Sequence, residues 1–190
     1  MELLEKKKQF LNLFDLVSRE GKDELLYFIK NSDFFVAPAS TRFHDSCEGG
    51  LLTHSLNVYD SLIVKYTNNP IWREKLKDLK HESIIISALL HDLCKTNYYV
   101  IEMRNKKVDG KWIQVPFYTV DDKEPYGHGE KSVIMIERFM KLTDEERYAV
   151  RWHMGPYSGQ QDWNSFGLAC EKFPLVLALF ESDMEATHLV

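Results

Sequence analysis

His54, the doublet His91-Asp92 and Asp183 are the residues of this 190-residue chain best placed to do chemistry, because each sits in a helix-like stretch among Leu, Ile, Val and Ala. A buried imidazole or carboxylate costs several kcal/mol unless it is hydrogen-bonded, paired or bound to a metal. Three distant segments that each turn such a group inward therefore point to a shared partner, and one divalent cation satisfies them all. Imidazole nitrogen with carboxylate oxygen suits Mn, Fe, Co, Ni or Zn and leaves coordination positions for water and substrate. His91 and Asp92 are adjacent, hence about 100° apart around a helix, and reach one ion only from its C-terminal turn, where the backbone is free to adjust. A single histidine in an apolar helix is ordinarily a hydrogen-bonded core residue, and His-Asp is a common dipeptide. The conjunction carries the reading.

The elements that must hold these residues are mostly helical. Leu4, Phe10, Leu11, Phe14 and Val17 predict a first helix, and Asp23 to Ile29 a short second one. From Val36 to Gly50 the period lapses around Pro38, Ser40, Thr41 and Gly49-Gly50, which predicts a loop of about a dozen residues, long enough to be functional. A third helix starts near Gly50, carries His54 and ends at Asn68-Asn69-Pro70. Ser83 to Leu93 is apolar nearly all round and reads as a buried helix, despite Ile84-Ile85-Ile86. Tyr98–Met103 and Lys111–Val120 bracket Asn105–Gly110, whose Asp-Gly is a turn signal, so a β-hairpin spans about residues 98–120. Helices follow from about Glu130 to Met140 and from Asp144 to about His153, the second opened by a capping box, Thr143-x-x-Glu146. Gly155 to Phe173, with Pro156, Gly159, Asn164 and Gly167, reads as irregular; a last helix opens at Pro174 and carries Asp183. The expected fold class is all-α, a helical bundle with a small inserted hairpin, in one domain over residues 1–190.

Composition narrows the function. With 44% hydrophobic and 28% charged residues the chain builds an apolar core rather than a disordered or collagen-like one. Its net charge of −5, from 24 basic against 29 acidic residues, gives no general attraction for phosphate polymers or anionic membranes, so a long nucleic-acid track is disfavoured. Cys47, Cys94 and Cys170 form neither a Cys-x-x-Cys pair nor an even set, and read as free thiols of a reducing compartment. The amphipathic start at Met1 lacks the features of a signal peptide and no stretch is long enough to cross a bilayer, which makes the cytoplasm the expected location. No oligomeric state follows from the pattern.

Three segments carry a family likeness: Gly49-Gly50-Leu51-Leu52-Thr53-His54-Ser55-Leu56, Ala88-Leu89-Leu90-His91-Asp92-Leu93-Cys94-Lys95, and Ser182-Asp183-Met184-Glu185-Ala186. In them the chain resembles the HD superfamily of metal-dependent phosphohydrolases, and the first segment with upstream His44 is especially similar to the HD domains of bacterial 3′-end exoribonucleases. The resemblance implies a helical domain whose metal is held by His54, His91, Asp92 and Asp183. Members with two metals add histidines between the doublet and the last Asp; here His128 and His153 are the candidates, both at helix ends, with Asp92 as bridge and ions about 3.5–4 Å apart. The bland alternative leaves one ion, with both histidines capping helices or meeting substrate. Related enzymes carry a Gly-Lys pair after the doublet; here Cys94 stands at the Gly position and Lys95 is kept, its ammonium suited to a phosphate oxygen or, alternatively, to the helix C-terminus. His44, Arg42 and Arg151 are candidate substrate-binding residues. Tyr157, Trp163 and Phe166 would form a base-stacking wall or pack as core.

The reaction these residues imply is hydrolysis of a phosphate ester of a nucleotide or short oligonucleotide, by attack of metal-bound water, with one or two divalent transition ions and Lys95 orienting the substrate. Two other classes share the ligand set: a di-iron oxygenase of the same helical family, and a non-catalytic nucleotide-binding signalling module.

Overall fold

A computed structural model of the chain describes residues 2–43, 45–156 and 159–190. Expected positions His44 and Tyr157 lie outside the described residues. Two amphipathic helices, α1 (Leu3–Asp15) and α2 (Lys22–Asn31), precede the loop that the lapse in periodicity predicts. Next come α3 (Gly50–Asn68), the short α4 (Pro70–Lys75) and α5 (His81–Leu90), followed by one 3₁₀ turn, Leu93–Lys95. A hairpin of β1 (Tyr99–Val108) and β2 (Lys111–Val120) then projects before α6 (His128–Glu137), α7 (Asp144–Trp152), α8 (Gly159–Lys172) and α9 (Pro174–His188). Helix occupies 58% of the chain and strand 11%, so the expectation of a helical bundle with one hairpin holds.

The core is built around α3 and α5. Ile84, Ile85, Ile86, Ala88, Leu89 and Leu90 are all fully buried, which is why α5 shows no polar face. α3 packs against α5 and α9; α9 packs against α7, α7 against α6, and α6 against the 3₁₀ turn. Each element that carries a candidate ligand thus borders another that does.

α7 starts as its sequence predicts: Thr143 accepts from the Glu146 backbone N–H, and the Glu146 carboxylate accepts from the Thr143 N–H. The same carboxylate, fully buried, takes two hydrogen bonds from Arg19 at 2.6 and 2.8 Å and ties the segment after α1 to α7. Gly129 allows the close crossing of α6 over α7, since a Cβ there would lie 2.1 Å from the Arg151 carbonyl oxygen.

Three expectations are corrected. Gly155–Phe173 is not irregular throughout, because α8 occupies most of it. Only a narrow seam, Phe166, Ala169 and Cys170 with Phe173 beyond, faces the core, and Gly167 points into open space, so the apolar period is too thin to register. α4 was not expected; Asn69 caps it by accepting from Ile71 and Trp72. The first hairpin strand runs on to Val108 rather than stopping at Met103, leaving a two-residue turn at Asp109-Gly110 with φ of 49° and 82°, the left-handed pair that such a turn requires.

Candidate metal centre

His54 lies on the first turns of α3, His91 caps the C-terminus of α5, and Asp92 follows where the helix has ended (φ −103°, ψ 21°). The break that would let neighbouring residues face one point is therefore present. His128 begins α6, His153 caps the C-terminus of α7, and Asp183 sits mid-way along α9. All six converge, and all but His128 are buried.

Asp92 is the hub. Its Oδ1 accepts from His128 Nε2 at 2.8 Å and lies 3.4 Å from His153 Nε2; its Oδ2 meets the Lys95 ammonium at 2.6 Å and lies 3.4 and 3.7 Å from Nε2 of His91 and His54. On the far side, His54 Nε2 is 2.9 Å from Asp183 Oδ1 and 3.2 Å from His91 Nε2. Three subsets present ligand atoms within 4.8 Å of one another: His54, His91 and Asp183; His91, Asp92 and His153; Asp92, Cys94 and His128. Buried His/Asp clusters of this kind can hold a metal ion.

Two histidines are aimed by the same device. His91 Nδ1 is 2.8 Å from the Ala88 carbonyl and His153 Nδ1 is 2.7 Å from that of Val150, each three residues back in a helix's last turn. A carbonyl only accepts, so both Nδ1 atoms carry a proton and each ring turns its Nε2 inward. His153 Nε2 is buried and has no hydrogen-bond partner among the described residues. An inward imidazole nitrogen that makes no hydrogen bond and lies 3.4 Å from a carboxylate oxygen fits a cation.

Electrostatics agree. Burial alone would raise both carboxyls, but Lys95 and His91 hold Asp92 well below its ordinary range, and His54, His91 and Asp183's other imidazole neighbour His153 bring Asp183 down to about 2. Burial together with the charges on His91 and His128 lowers His153, against the pull of Asp92. Burial pulls His128 down, yet the Cys94 sulfur and Asp92 outweigh it and lift this imidazole to about 10. Both carboxylates are thus ionised at neutral pH.

The other expected residues are distributed unevenly. Lys95 is buried and its ammonium is engaged by Asp92. Burial would lower it, but Asp92 keeps it raised. Arg151 is paired with Glu130 at 2.5 Å and stacked 3.9 Å from the Trp152 ring, and among the described residues no ion pair or hydrogen bond of its side chain joins it to the cluster. Arg42 lies exposed in the 36–50 loop, on a groove shared with the hairpin base. Phe166 packs between Trp152 and Phe180, while Trp163 is exposed. The sequence reading missed a contact of Cys94, whose sulfur lies 3.3 Å from His128 Nδ1. Its position two residues after Asp92 was the available signal. Among the described residues no helix is long and apolar enough to cross a membrane. Comparisons with protein-family models, curated proteins and solved structures found no match, so the centre stands on this chain's own geometry.

Proposed function

We propose that the chain is an HD-type metal-dependent phosphohydrolase acting on a phosphate ester of a nucleotide or short oligonucleotide. The observation that supports this reading is the gathering of four imidazoles and the Asp183 carboxylate around Asp92, with His153 Nε2 buried and without a hydrogen bond. In this reading His54, His91, Asp92 and Asp183 hold one divalent transition ion of the Mn, Fe, Co, Ni and Zn group, and His128 and His153 share Asp92 toward a second. Ions so held supply Lewis-acid charge and acidify water near neutral pH. The chain's own residues do the rest. Carbonyl ties fix the rings of His91 and His153 before anything binds, and Lys95 locks one Asp92 oxygen so that the other is presented to His128 and His153. Lys95 is then a positioning residue, not a direct phosphate ligand.

Metal analysis of the purified protein, paired with hydrolysis of p-nitrophenyl phosphate mono- and diesters across Mn, Co, Ni, Zn and Mg, tests the proposal. Wild type should bind at least one ion and turn over one ester class; Asp92→Ala and Asp183→Ala should lose both while keeping helical circular dichroism. Absence of turnover with every ion, or full turnover in Asp92→Ala, overturns it. Oxygen consumption by the iron-loaded protein without ester hydrolysis would assign the centre to oxygenase chemistry instead.

A further inference from the structure

Of the three cysteines, only Cys94 stands among the candidate metal ligands of the described residues; Cys47 is exposed and Cys170 packs half-buried against the core. The place of Cys94 is fixed from two elements. It sits in the 3₁₀ turn Leu93–Lys95, two residues after Asp92, and its backbone N–H donates to the Ser132 hydroxyl at 3.1 Å. Ser132 is fully buried on α6, four residues after His128, and so shares the face of that helix that carries the imidazole. This bond docks the turn against α6 with the sulfur at the His128 ring. Cys94 Sγ lies 3.3 Å from His128 Nδ1 and 3.7 Å from Nε2, and the same Nε2 lies 2.8 Å from Asp92 Oδ1.

Metal bonds of about 2.3 Å to sulfur and about 2.0–2.1 Å to nitrogen and oxygen hold donors roughly 2.8–3.6 Å apart at right to tetrahedral angles. The spacings of 3.7 Å from Sγ to Nε2 and 2.8 Å from Nε2 to Oδ1 therefore suit one ion with little movement. A second observation points the same way: His153 Nε2, buried and without a hydrogen bond, lies 3.4 Å from that same Oδ1. A nucleophilic Cys-His-Asp relay has the same order of contacts, but Cys94 is 2% exposed, so an ester phosphorus cannot approach its sulfur. A bare ion can, because the His128 side chain beside the sulfur is 34% exposed. Packing alone explains why Cys94 is buried, but not why its sulfur is held against both ring nitrogens of a candidate ligand.

We infer that Cys94 is a ligand of the ion shared by Asp92 and His128, which makes this position a thiolate site for Zn(II), Co(II) or Fe(II) and not for Mn(II) or Mg(II). Thiolate sulfur selects the softer ions, whereas manganese and magnesium prefer oxygen donors. On binding, the thiol gives its proton to solvent and the sulfur bonds the ion as thiolate. His54, His91 and Asp183 offer only nitrogen and oxygen, so the two positions rank metals differently. The inference deepens the reading above: it rests on the metal centre and is independent of ester hydrolysis.

Cobalt(II) added to metal-free protein tests this, because cobalt bound to thiolate gives a near-ultraviolet charge-transfer band that its nitrogen and oxygen ligands do not. Wild type should show that band. Cys94→Ser, close to isosteric, should lose it while keeping helical circular dichroism and the visible cobalt bands of the remaining ligands; Cys47→Ser and Cys170→Ser should keep it. Zinc affinity, read by competition with a chromophoric chelator, should fall about tenfold or more in Cys94→Ser, and manganese affinity by less than about twofold. Wild-type cobalt spectra with visible bands and no sulfur band overturn the inference without any variant and leave the His/Asp centre standing. A sulfur band that survives Cys94→Ser overturns it equally. Protein that takes up neither cobalt nor zinc overturns both the centre and this inference. A sulfur band lost in Cys94→Ser, in a protein that cleaves no ester, supports Cys94 as ligand and removes the hydrolase reading alone.

Discussion

Replacing Asp92 by Asn keeps the side chain's shape and removes its charge, and the structure says what that leaves behind. Asp92 is the only carboxylate paired with the Lys95 ammonium among the described residues, at 2.6 Å, and both groups are buried. Removing one member of a buried pair costs about 3–5 kcal/mol, chiefly from the uncompensated charge that remains. Lys95 has little exposure through which water could reach it, so the full range applies. For a chain of this length each kcal/mol moves Tm by about 2–4 °C, so metal-free Asp92→Asn should melt roughly 6–20 °C below wild type. Lys95→Met in the Asp92→Asn background removes the stranded ammonium and should restore about 2 kcal/mol, a coupling well above the error of urea unfolding. The cycle is run on metal-free protein by circular dichroism, so that ion binding does not enter. An Asp92→Asn protein as stable as wild type, or a double variant no better than Asp92→Asn, would refute the argument that the two charges stabilise each other.

Other expectations follow from the same coordinates. Burial pushes Glu146 up, but Arg19 and the α7 cap hold it below the ordinary glutamate value. Its stabilisation is therefore complete above about pH 4.5 and lost as pH falls through the lowered folded value. Glu146→Gln should cost about 3 kcal/mol at pH 7 in urea unfolding, and the gap from wild type should narrow as the pH drops below 4. Thr143→Ala removes the capping hydroxyl of α7 and should cost about 1 kcal/mol, with the metal content unchanged. Gly129→Ala forces α6 away from the Arg151 backbone and should destabilise by about 1–3 kcal/mol. Because that shift moves His128 relative to His153, calorimetry should also show weaker metal binding; wild-type affinity with lowered stability would mean that the two histidines do not act on one centre.

Local chemistry alone was enough for much of this molecule. A capping box acts within four residues, and an Asp-Gly turn within two. The α5 stretch needed only its own composition, because a helix apolar all round has nowhere to go but the core. The His91-Asp92 doublet at that helix's end, with His54 and Asp183 on apolar faces, was legible for the same reason: burying such groups from several elements demands a common centre. α8 escaped notice because only the narrow seam of Phe166, Ala169 and Cys170 meets the core, which leaves too little period to read. What the tertiary structure decided was which groups neutralise one another. Lys95 turned to Asp92, Arg151 to Glu130, and Cys94 to His128, while His153 Nε2 was left beside Asp92 without a hydrogen bond. Those choices depend on how helices distant in the chain cross, at separations set to fractions of an ångström by side-chain packing, and no spacing along one segment encodes them.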